Sequence, residues 1–270
     1  GNAYDEKLTA GGSSSGAAVA VALRMLAVAD GSDYGGSLRN PAGWNNVYGL
    51  RPSYGRIPRD ELEAWIPTMG VLGPMARNVE DLALLLSVQS GYDAASPYSI
   101  SGDGSEFRAD LNSDLKGKKI AWVGDFGGQI PFEAGIMDLG RSAMKVFEEM
   151  GCIVEEARPD FDIEELWNAF VTLRNSHSAV MYELYRDPAK RAQLPPSALY
   201  EIERGMKLSA FEVAAASQVR TRWLQTLLRF AESYDFWALP TAQLFAFPVE
   251  TRWPGEVAGT PMRSYHEWMK

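Results

Sequence analysis

The chain has 270 residues, 46% of them hydrophobic, and a formal net charge of −9 at pH 7. This length can bury one large core, and the acidic balance argues against nucleic acid as the main partner, because phosphate binding requires a basic face. The single cysteine, Cys152, excludes an internal disulfide and favours a reducing compartment, so we expect a cytoplasmic protein with no membrane partner.

A glycine- and serine-rich segment, GGSSSG at residues 11–16, leads into an alanine-rich run at residues 17–29. The run contains no Gly or Pro and is followed by Asp30-Gly31 as a stop signal, so it predicts a largely buried helix. Thirteen residues interrupted by Arg24 are too few to cross a bilayer, which takes about 20. The helix N-terminus favours hydroxyls and developing anions next to it, although a serine N-cap on a turn explains the same pattern.

A second segment, DYGGSLRNPA at residues 33–42, places Ser37 24 residues after Ser13. Gly35 and Gly36 remove two side chains just before Ser37, which allows successive backbone amides to turn toward one point, as an oxyanion hole requires. A serine at its free pKa is a poor nucleophile, so a base must take its proton.

The two histidines are weak candidates for that base. His177 lies inside a helical pattern, and His266 lies four residues from the end of the chain. The Gly-x-Ser-x-Gly pattern at residues 12–16 would depend on one of them. Its usual setting is a buried strand before the serine, and residues 5–10, which begin with three charged residues, do not form one. A histidine-dependent triad stays as an alternative.

The rest of the chain alternates strand and helix patterns. The predicted elements are a loose exposed connection at 96–114, a strand at 118–124, an amphipathic helix at 134–150, a strand at 152–155, and helices at 163–185 and 210–233 separated by Pro195-Pro196. The middle three form a βαβ unit, which indicates an α/β fold with helices on both faces of the sheet, and Cys152 reads as a packing residue in its second strand.

Several motifs of the chain together resemble those of a known family. The two serine motifs at this spacing resemble those of the amidase signature family of serine hydrolases, and the resemblance continues in GLRPSYGR at 49–56, GPMARNVEDLA at 73–83, YDFWALPT at 234–241 and AFPV at 246–249. It implies a mixed twisted β-sheet core covered by helices on both faces. It also implies one domain over 1–270, with a signature core at 1–91 and a more variable part at 92–270.

The resemblance implies a Ser-Ser-Lys triad. Ser37 corresponds to the acyl nucleophile, and Ser13, which the family holds after a cis peptide bond, corresponds to the serine that relays the proton to a neutral lysine. The amides of Tyr34, Gly35 and Gly36, together with that of Ser37, would hold the oxyanion.

Three further residues, Ser14, Asp33 and Arg39, fall on motif positions and are expected to support the loop by hydrogen bonds. The family's lysine precedes the first motif by tens of residues, whereas this chain begins twelve residues before Ser13. Lys7, in a charged run, corresponds to no family position. We therefore expect the chain to be an internal part of a longer enzyme.

The implied reaction is hydrolysis of a carboxylic amide. Ser37 attacks the carbonyl, an acyl-enzyme forms as ammonia or an amine leaves, and water hydrolyses the acyl-enzyme, with no metal or other cofactor. The expected partner is a small-molecule amide, and the sequence leaves open whether the chain forms a homodimer. Eight aromatic residues are candidates for a pocket wall or, more commonly, for core packing, the last four at spacings that would share one helix face: Trp44, Trp65, Tyr92, Tyr98, Trp167, Phe170, Tyr182 and Tyr185.

Two other functions remain as alternatives. One is the amide-transferring subunit of a tRNA-dependent amidotransferase, which works with partner subunits. Against it, residues 65–74 lack the Ser-Leu-Asp pattern associated with that branch, and Asn40 stands where that branch usually has Gln. The other is a catalytically inactive binding homologue that keeps the anion-holding loops, and the missing lysine is its support.

Overall fold

The computed structural model describes residues 1–60, 63–66 and 69–270, so Pro67 and Thr68 of the segment 65–74 lie outside the described residues. The helices are α1 (Ser15–Ala22), α2 (Arg39–Trp44), α3 (Val79–Gln89), α4 (Ile136–Glu149), α5 (Ile163–His177), α6 (Tyr182–Arg186), α7 (Pro188–Arg191), α8 (Pro196–Gly205) and α9 (Ala210–Ala231). The strands are β1 (Val28–Asp33), β2 (Tyr48–Gly49), β3 (Val71–Ala76), β4 (Lys119–Trp122), β5 (Ile153–Glu156), β6 (Phe236–Ala238), β7 (Glu256–Val257) and β8 (Thr260–Pro261).

The chain divides into two compact units. The first contains Gly1–Asp114 and Thr241–Met269, and the second contains Leu115–Pro240 together with Lys270. The predicted mixed α/β class is confirmed, and the described strands form small sheets of two or three strands. The single-domain assignment with a division at residue 91 stays a prediction.

An antiparallel sheet of order β1-β3-β2 organises the first unit. Strand β1 pairs with β3 from Val28 opposite Ala76 to Asp33 opposite Val71, so β1 ends where the second serine motif begins. Helices α1 and α2 are attached to this sheet by a buried cluster of small and aliphatic side chains, namely Ala18, Leu38, Ala42 and Met75. Burial of these side chains fixes both serine loops on one support.

The helix predicted at residues 17–29 is wrong in its second half. Helix α1 ends at Ala22, and Val28–Asp33 form strand β1. The Arg77 guanidinium donates to the carbonyl oxygens of Val21 at 2.8 Å and Leu26 at 2.7 Å, which satisfies the end of the helix. Pairing with β3 then outweighs the helix propensity of the alanine-rich run, because propensity is a weak preference that tertiary contacts override.

The predicted stop signal lies inside strand β1 and has another explanation. A Cβ atom on Gly31 would come within 2.6 Å of Ser14 Oγ and 2.8 Å of a Leu38 methyl carbon. The absent side chain therefore allows the first serine loop to pack directly on the strand.

A parallel sheet of order β5-β4-β6 organises the second unit. The predicted βαβ unit is confirmed: β4 and β5 are parallel neighbours, with Lys119 opposite Ile153, and α4 connects them. Strand β6, from the late family-like segment, pairs with the other side of β4. The 22-residue helix α9 begins with a capping box, in which Ser209 and Glu212 each accept the other's backbone amide.

The helix predicted at residues 163–185 is interrupted. Helix α5 ends at His177, a 3₁₀ turn follows at Ser178–Met181, and α6 begins at Tyr182. Trp167 and Phe170 stack at 5.2 Å on α5, as their spacing predicts. Tyr182 and Tyr185 lie on α6, so the expectation that all four share one helix face is wrong.

Among the residues that the structure describes, no helix combines the length and the apolar composition needed to cross a membrane.

Candidate functional site

The two serine motifs form adjacent loops in the first unit. The first loop enters α1, and the second leaves β1 and enters α2. The Ser14 amide donates to the Ser37 carbonyl oxygen at 3.2 Å, which joins the loops directly. The peptide bond between Gly12 and Ser13 is cis, as the resemblance implies. Ser13 is exposed and Ser37 is half-buried.

Ser14 holds the first loop on strand β1. Its hydroxyl donates to the Ser32 carbonyl oxygen at 3.3 Å and accepts from the Ser32 amide at 3.2 Å. The Ser14 amide also donates a hydrogen bond to Ser37. Ser14 therefore connects the two loops through both its side chain and its backbone. It bonds both to strand β1 and to the second loop, and its role as a supporting residue stays a prediction.

Asp33 organises the second loop through hydrogen bonds to its backbone amides. Its side chain is fully buried, Oδ1 accepts from the Gly36 amide at 2.8 Å, and Oδ2 accepts from the amides of Leu38 at 3.2 Å and Arg39 at 3.4 Å. Three amides converging on one carboxylate bend the chain around Ser37. A buried charge is tolerated only when it is paired and hydrogen-bonded in this way.

Arg39 supplies the counter-charge. Its guanidinium binds both Asp33 oxygens, with Nε 2.9 Å from Oδ2 and Nη2 2.9 Å from Oδ1, the bidentate geometry of a strong ion pair. Burial alone would raise the pKa of Asp33, but the Arg39 hydrogen bonds and charge, with the amides of Gly36 and Leu38, lower that pKa to about 2. Asp33 is therefore ionised at neutral pH.

Arg51 is a second cation near Asp33, and the sequence analysis did not identify it. Arg51 lies in the GLRPSYGR motif, which suggested family membership but no role for any single residue. In the structure Arg51 Nε lies 3.5 Å from Asp33 Oδ1, so the carboxylate faces two guanidinium groups. Only the fold brings residue 51 to residue 33, and no local pattern in the sequence indicates this pair.

The amides expected at the oxyanion hole are not equivalent. The Gly36 amide points at Asp33 Oδ1 and is already bonded. Across residues 1–60, 63–66 and 69–270, the amides of Gly35 and Ser37 have no protein acceptor. These two N–H groups can therefore donate to the oxygen atom of a molecule bound beside Ser37.

Asn40 also connects the loops. It is buried, its amide donates to the Gly36 carbonyl oxygen at 2.9 Å, and its side-chain Oδ1 accepts from the Gly12 amide at 3.3 Å. Its Nδ2 contacts Met269 Sδ at 3.4 Å. The sequence had marked Asn40 only as a difference between family branches. The sequence alone does not reveal the hydrogen bond between Gly12 and Asn40, which lie 28 residues apart.

The other candidate bases lie in different settings. Lys7 is exposed in its charged run, as expected. His177 is the last residue of α5 in the second unit. His266, in the first unit, packs its ring edge-on against Tyr265 at 4.8 Å.

Trp44 packs in the core of the first unit rather than lining an open wall. Its ring stacks on Trp268 at 5.6 Å and meets Phe247 edge-on at 5.6 Å, and its Nε1 donates to the Leu244 carbonyl oxygen at 3.1 Å. Trp65, in contrast, is exposed. The cluster around Trp44 holds the C-terminal end of α2, and so contributes to the position of the second loop.

Comparison with known proteins agrees with these features. The sequence profile of the amidase family matches residues 1–269. The A subunit of the Macrococcus caseolyticus glutamyl-tRNA(Gln) amidotransferase is 31% identical over 271 residues, covering 92% of this chain and 56% of that protein. Its Enterococcus faecalis counterpart is 41% identical over 155 residues, covering 57% of this chain and 32% of that protein.

A solved structure points the same way. A bacterial aryl acylamidase of the amidase signature family superposes with a TM-score of 0.87 at 29% identity, covering 99% of this chain and 57% of that one. The chain thus spans less than two thirds of the length of these relatives. The motifs, the fold and the matches agree: the chain belongs to the amidase signature family.

Proposed function

We propose that this chain is the serine-bearing part of an amidohydrolase that cleaves a carboxylic amide through an acyl-enzyme on Ser37. The observation that carries the proposal is the Asp33-centred loop, in which Arg39 and the amides of residues on both sides of Ser37 bind one buried carboxylate. A nucleophile fixed in this way loses little further freedom when the substrate binds, which is how a preorganised site lowers the barrier.

The oxyanion is proposed to form beside the amides of Gly35 and Ser37. As the Ser37 oxygen attacks, negative charge develops on the former carbonyl oxygen, and these two amides, which have no acceptor among the described residues, can receive it. The Gly36 amide is proposed to act indirectly, because its hydrogen bond to Asp33 fixes the orientation of the neighbouring peptide planes. Tyr34 completes the loop before the two glycines.

Ser13 is proposed to pass the Ser37 proton to the base. The hydrogen bond from Ser14 to Ser37 brings the first loop beside the nucleophile, and the exposed Ser13 hydroxyl is free of the loop's supporting bonds. The lysine of the family's triad is assigned to no residue of this chain. We propose a small-molecule amide as substrate and neither metal nor organic cofactor, because the acyl-enzyme route requires none.

The test is covalent labelling of the full-length protein with a serine-directed fluorophosphonate, followed by intact mass measurement and peptide mapping. We expect one adduct, on Ser37, and none in Ser37→Ala. The exposed loop residue Ser53 supplies a matched control, because Ser53→Ala should label at the rate of the unmodified protein. An adduct that persists in Ser37→Ala, or one that disappears in His177→Gln, would contradict the proposal.

A second candidate function is amide transfer, because the curated relatives from Macrococcus caseolyticus and Enterococcus faecalis are A subunits of glutamyl-tRNA(Gln) amidotransferases. The aryl acylamidase likeness favours hydrolysis instead. Release of the amine from an N-acyl arylamide by the protein alone would support hydrolysis. Activity that appears only with added partner subunits, glutamine and charged tRNA would support transfer.

Asn40 gives a prediction on the link between the loops. Asn40→Leu removes the acceptor for the Gly12 amide, and a partly buried amide left without an acceptor costs about 1–3 kcal/mol. We expect kcat for amide hydrolysis to fall by about tenfold or more, with a smaller change in KM, because Ser13 follows Gly12 directly. Asn40→Gln keeps an amide oxygen and is the control, expected to retain most activity. Equal losses in both variants would contradict a positioning role.

A further inference from the structure

A cavity of about 170 Å³ lies in the second unit at the carboxyl edge of its parallel sheet. It forms where the chain leaves β4 after Trp122 and leaves β5 after Glu156. Loops that leave neighbouring parallel strands at this edge can diverge and leave a crevice between them. Trp122, Val123 and Met137 form the apolar part of a lining that is otherwise mostly polar.

The cavity lining carries two cations, Arg141 and Arg158, and two carboxylates, Asp125 and Glu156. Arg141 binds the Glu156 carboxylate through Nε at 3.2 Å, and Asp125 Oδ1 accepts from the Gly128 amide at 3.0 Å. Arg158 also lines the cavity, and within the described ranges its guanidinium has no acceptor. Arg141 and Glu156 thus pair with each other, and Arg158 is the cation of the lining whose donors remain available to a bound group.

The loop after β4 is shaped to bring backbone against Arg158. Gly127 has a φ of +70°, and a Cβ atom there would come within 1.8 Å of Arg158 Nη1. Only glycine fits this position without strain or a clash. The guanidinium therefore lies closely against the loop that forms one side of the cavity.

A donor buried behind the cavity wall is also unused. The Trp122 side chain is 5% exposed, and its buried Nε1 has no hydrogen-bond partner in the part of the chain that the structure describes. Buried indole N–H groups usually have an acceptor, because leaving one unpaired is unfavourable. The Trp122 ring is held in place by Gly140, where a Cβ atom would lie 2.3 Å from Cη2.

We propose that this cavity binds a small organic carboxylate, with its carboxylate paired to Arg158 and its apolar body packed on Trp122 and Met137. The planar guanidinium matches a carboxylate in a bidentate fork. The cavity is open to solvent on one side, and its volume has room for a single ring or a short aliphatic chain. This site does not depend on the proposed chemistry of Ser37.

Benzoate is the probe, titrated into the full-length protein while the indole N–H signals are followed by NMR, with the Trp122 signal assigned from Trp122→Phe. We expect a saturable shift of that signal with a dissociation constant on the order of 1 mM, because the ion pair is near solvent. Arg158→Gln should weaken binding about threefold to fivefold, as expected for loss of an exposed ion pair. Arg229→Gln, which removes an exposed arginine of α9 outside the cavity, should not change it.

Two comparison ligands complete the test. Neutral benzamide lacks the charge and inorganic phosphate lacks the apolar body, so each should bind at least about threefold more weakly than benzoate. Binding of benzoate that is unchanged in Arg158→Gln, or a Trp122 signal that does not saturate, would overturn the site. Phosphate that binds as tightly as benzoate would overturn the assignment to an organic carboxylate.

Discussion

Replacing Ser37 with alanine is expected to lower kcat for amide hydrolysis by about 10⁴- to 10⁶-fold, because loss of the nucleophile removes the acyl-enzyme route. Ser13→Ala should cost less, about 10²- to 10⁴-fold, since it removes a proton relay and leaves the attacking atom in place. Steady-state and burst kinetics of the full-length protein with an N-acyl arylamide measure both.

The order of these two effects separates the proposed roles. A burst that survives in Ser13→Ala with a slower rate would agree with a relay, and KM should change little in either variant. Ser53→Ala again serves as the matched control, because this serine is exposed and belongs to neither loop. A larger loss in Ser13→Ala than in Ser37→Ala would contradict the assignment of Ser37 as nucleophile.

Asp33→Asn is expected to lower the free energy of unfolding by about 3 kcal/mol, as for other substitutions that break a buried ion pair. The asparagine side chain has the shape of aspartate, but one of its two oxygen atoms is replaced by an NH₂ group. That group would face either Arg39 or the backbone amides that bond to the carboxylate in the unmodified protein. The loop around Ser37 loses its anchor, so activity should fall with stability. Urea unfolding gives the stability change, and Asp30→Asn on the exposed side of the same strand is the control, expected to change little.

The difference in unfolding free energy between the unmodified protein and Asp33→Asn should depend on pH. Its pH dependence follows from the pKa of Asp33, which is lowered from 3.8 to about 2. Because the folded pKa is below the unfolded one, the stabilisation is complete above about pH 4 and is lost as the pH falls toward 2. The gap in unfolding free energy between the unmodified protein and Asp33→Asn should therefore be largest near neutral pH and narrow below pH 4. A gap that is the same at pH 6 and pH 3 would show that the charge of Asp33 is not the cause.

Local patterns in the sequence were sufficient for much of the fold. Residues 118–155 show a βαβ pattern of strand, amphipathic helix and strand, and the structure has β4, α4 and β5 there within two residues of the expected ends. The same holds for the long helix α9, whose capping box is encoded by Ser209 and Glu212 three residues apart. Such elements follow from periodicity and capping, which are short-range properties.

The two serine motifs were also evident from the sequence alone, and with them the residues proposed to carry the chemistry. Their glycines and serines occur in a fixed order that a single chain displays without any fold. The structure adds that the Ser14 amide donates to the Ser37 carbonyl oxygen and that the Asp33 carboxylate accepts hydrogen bonds from loop amides such as that of Gly36.

Only the tertiary structure decided which half of the alanine-rich run is helix, which amides remain for an oxyanion, and which distant residues support the site. Residues 28–33 form a strand because they pair with β3. The Gly36 amide donates to Asp33 and is therefore not available to an oxyanion. Arg51 and Asn40 reach their partners across 18 and 28 residues. These outcomes depend on contacts between segments far apart in the chain, whereas propensity and motif spacing describe only neighbours.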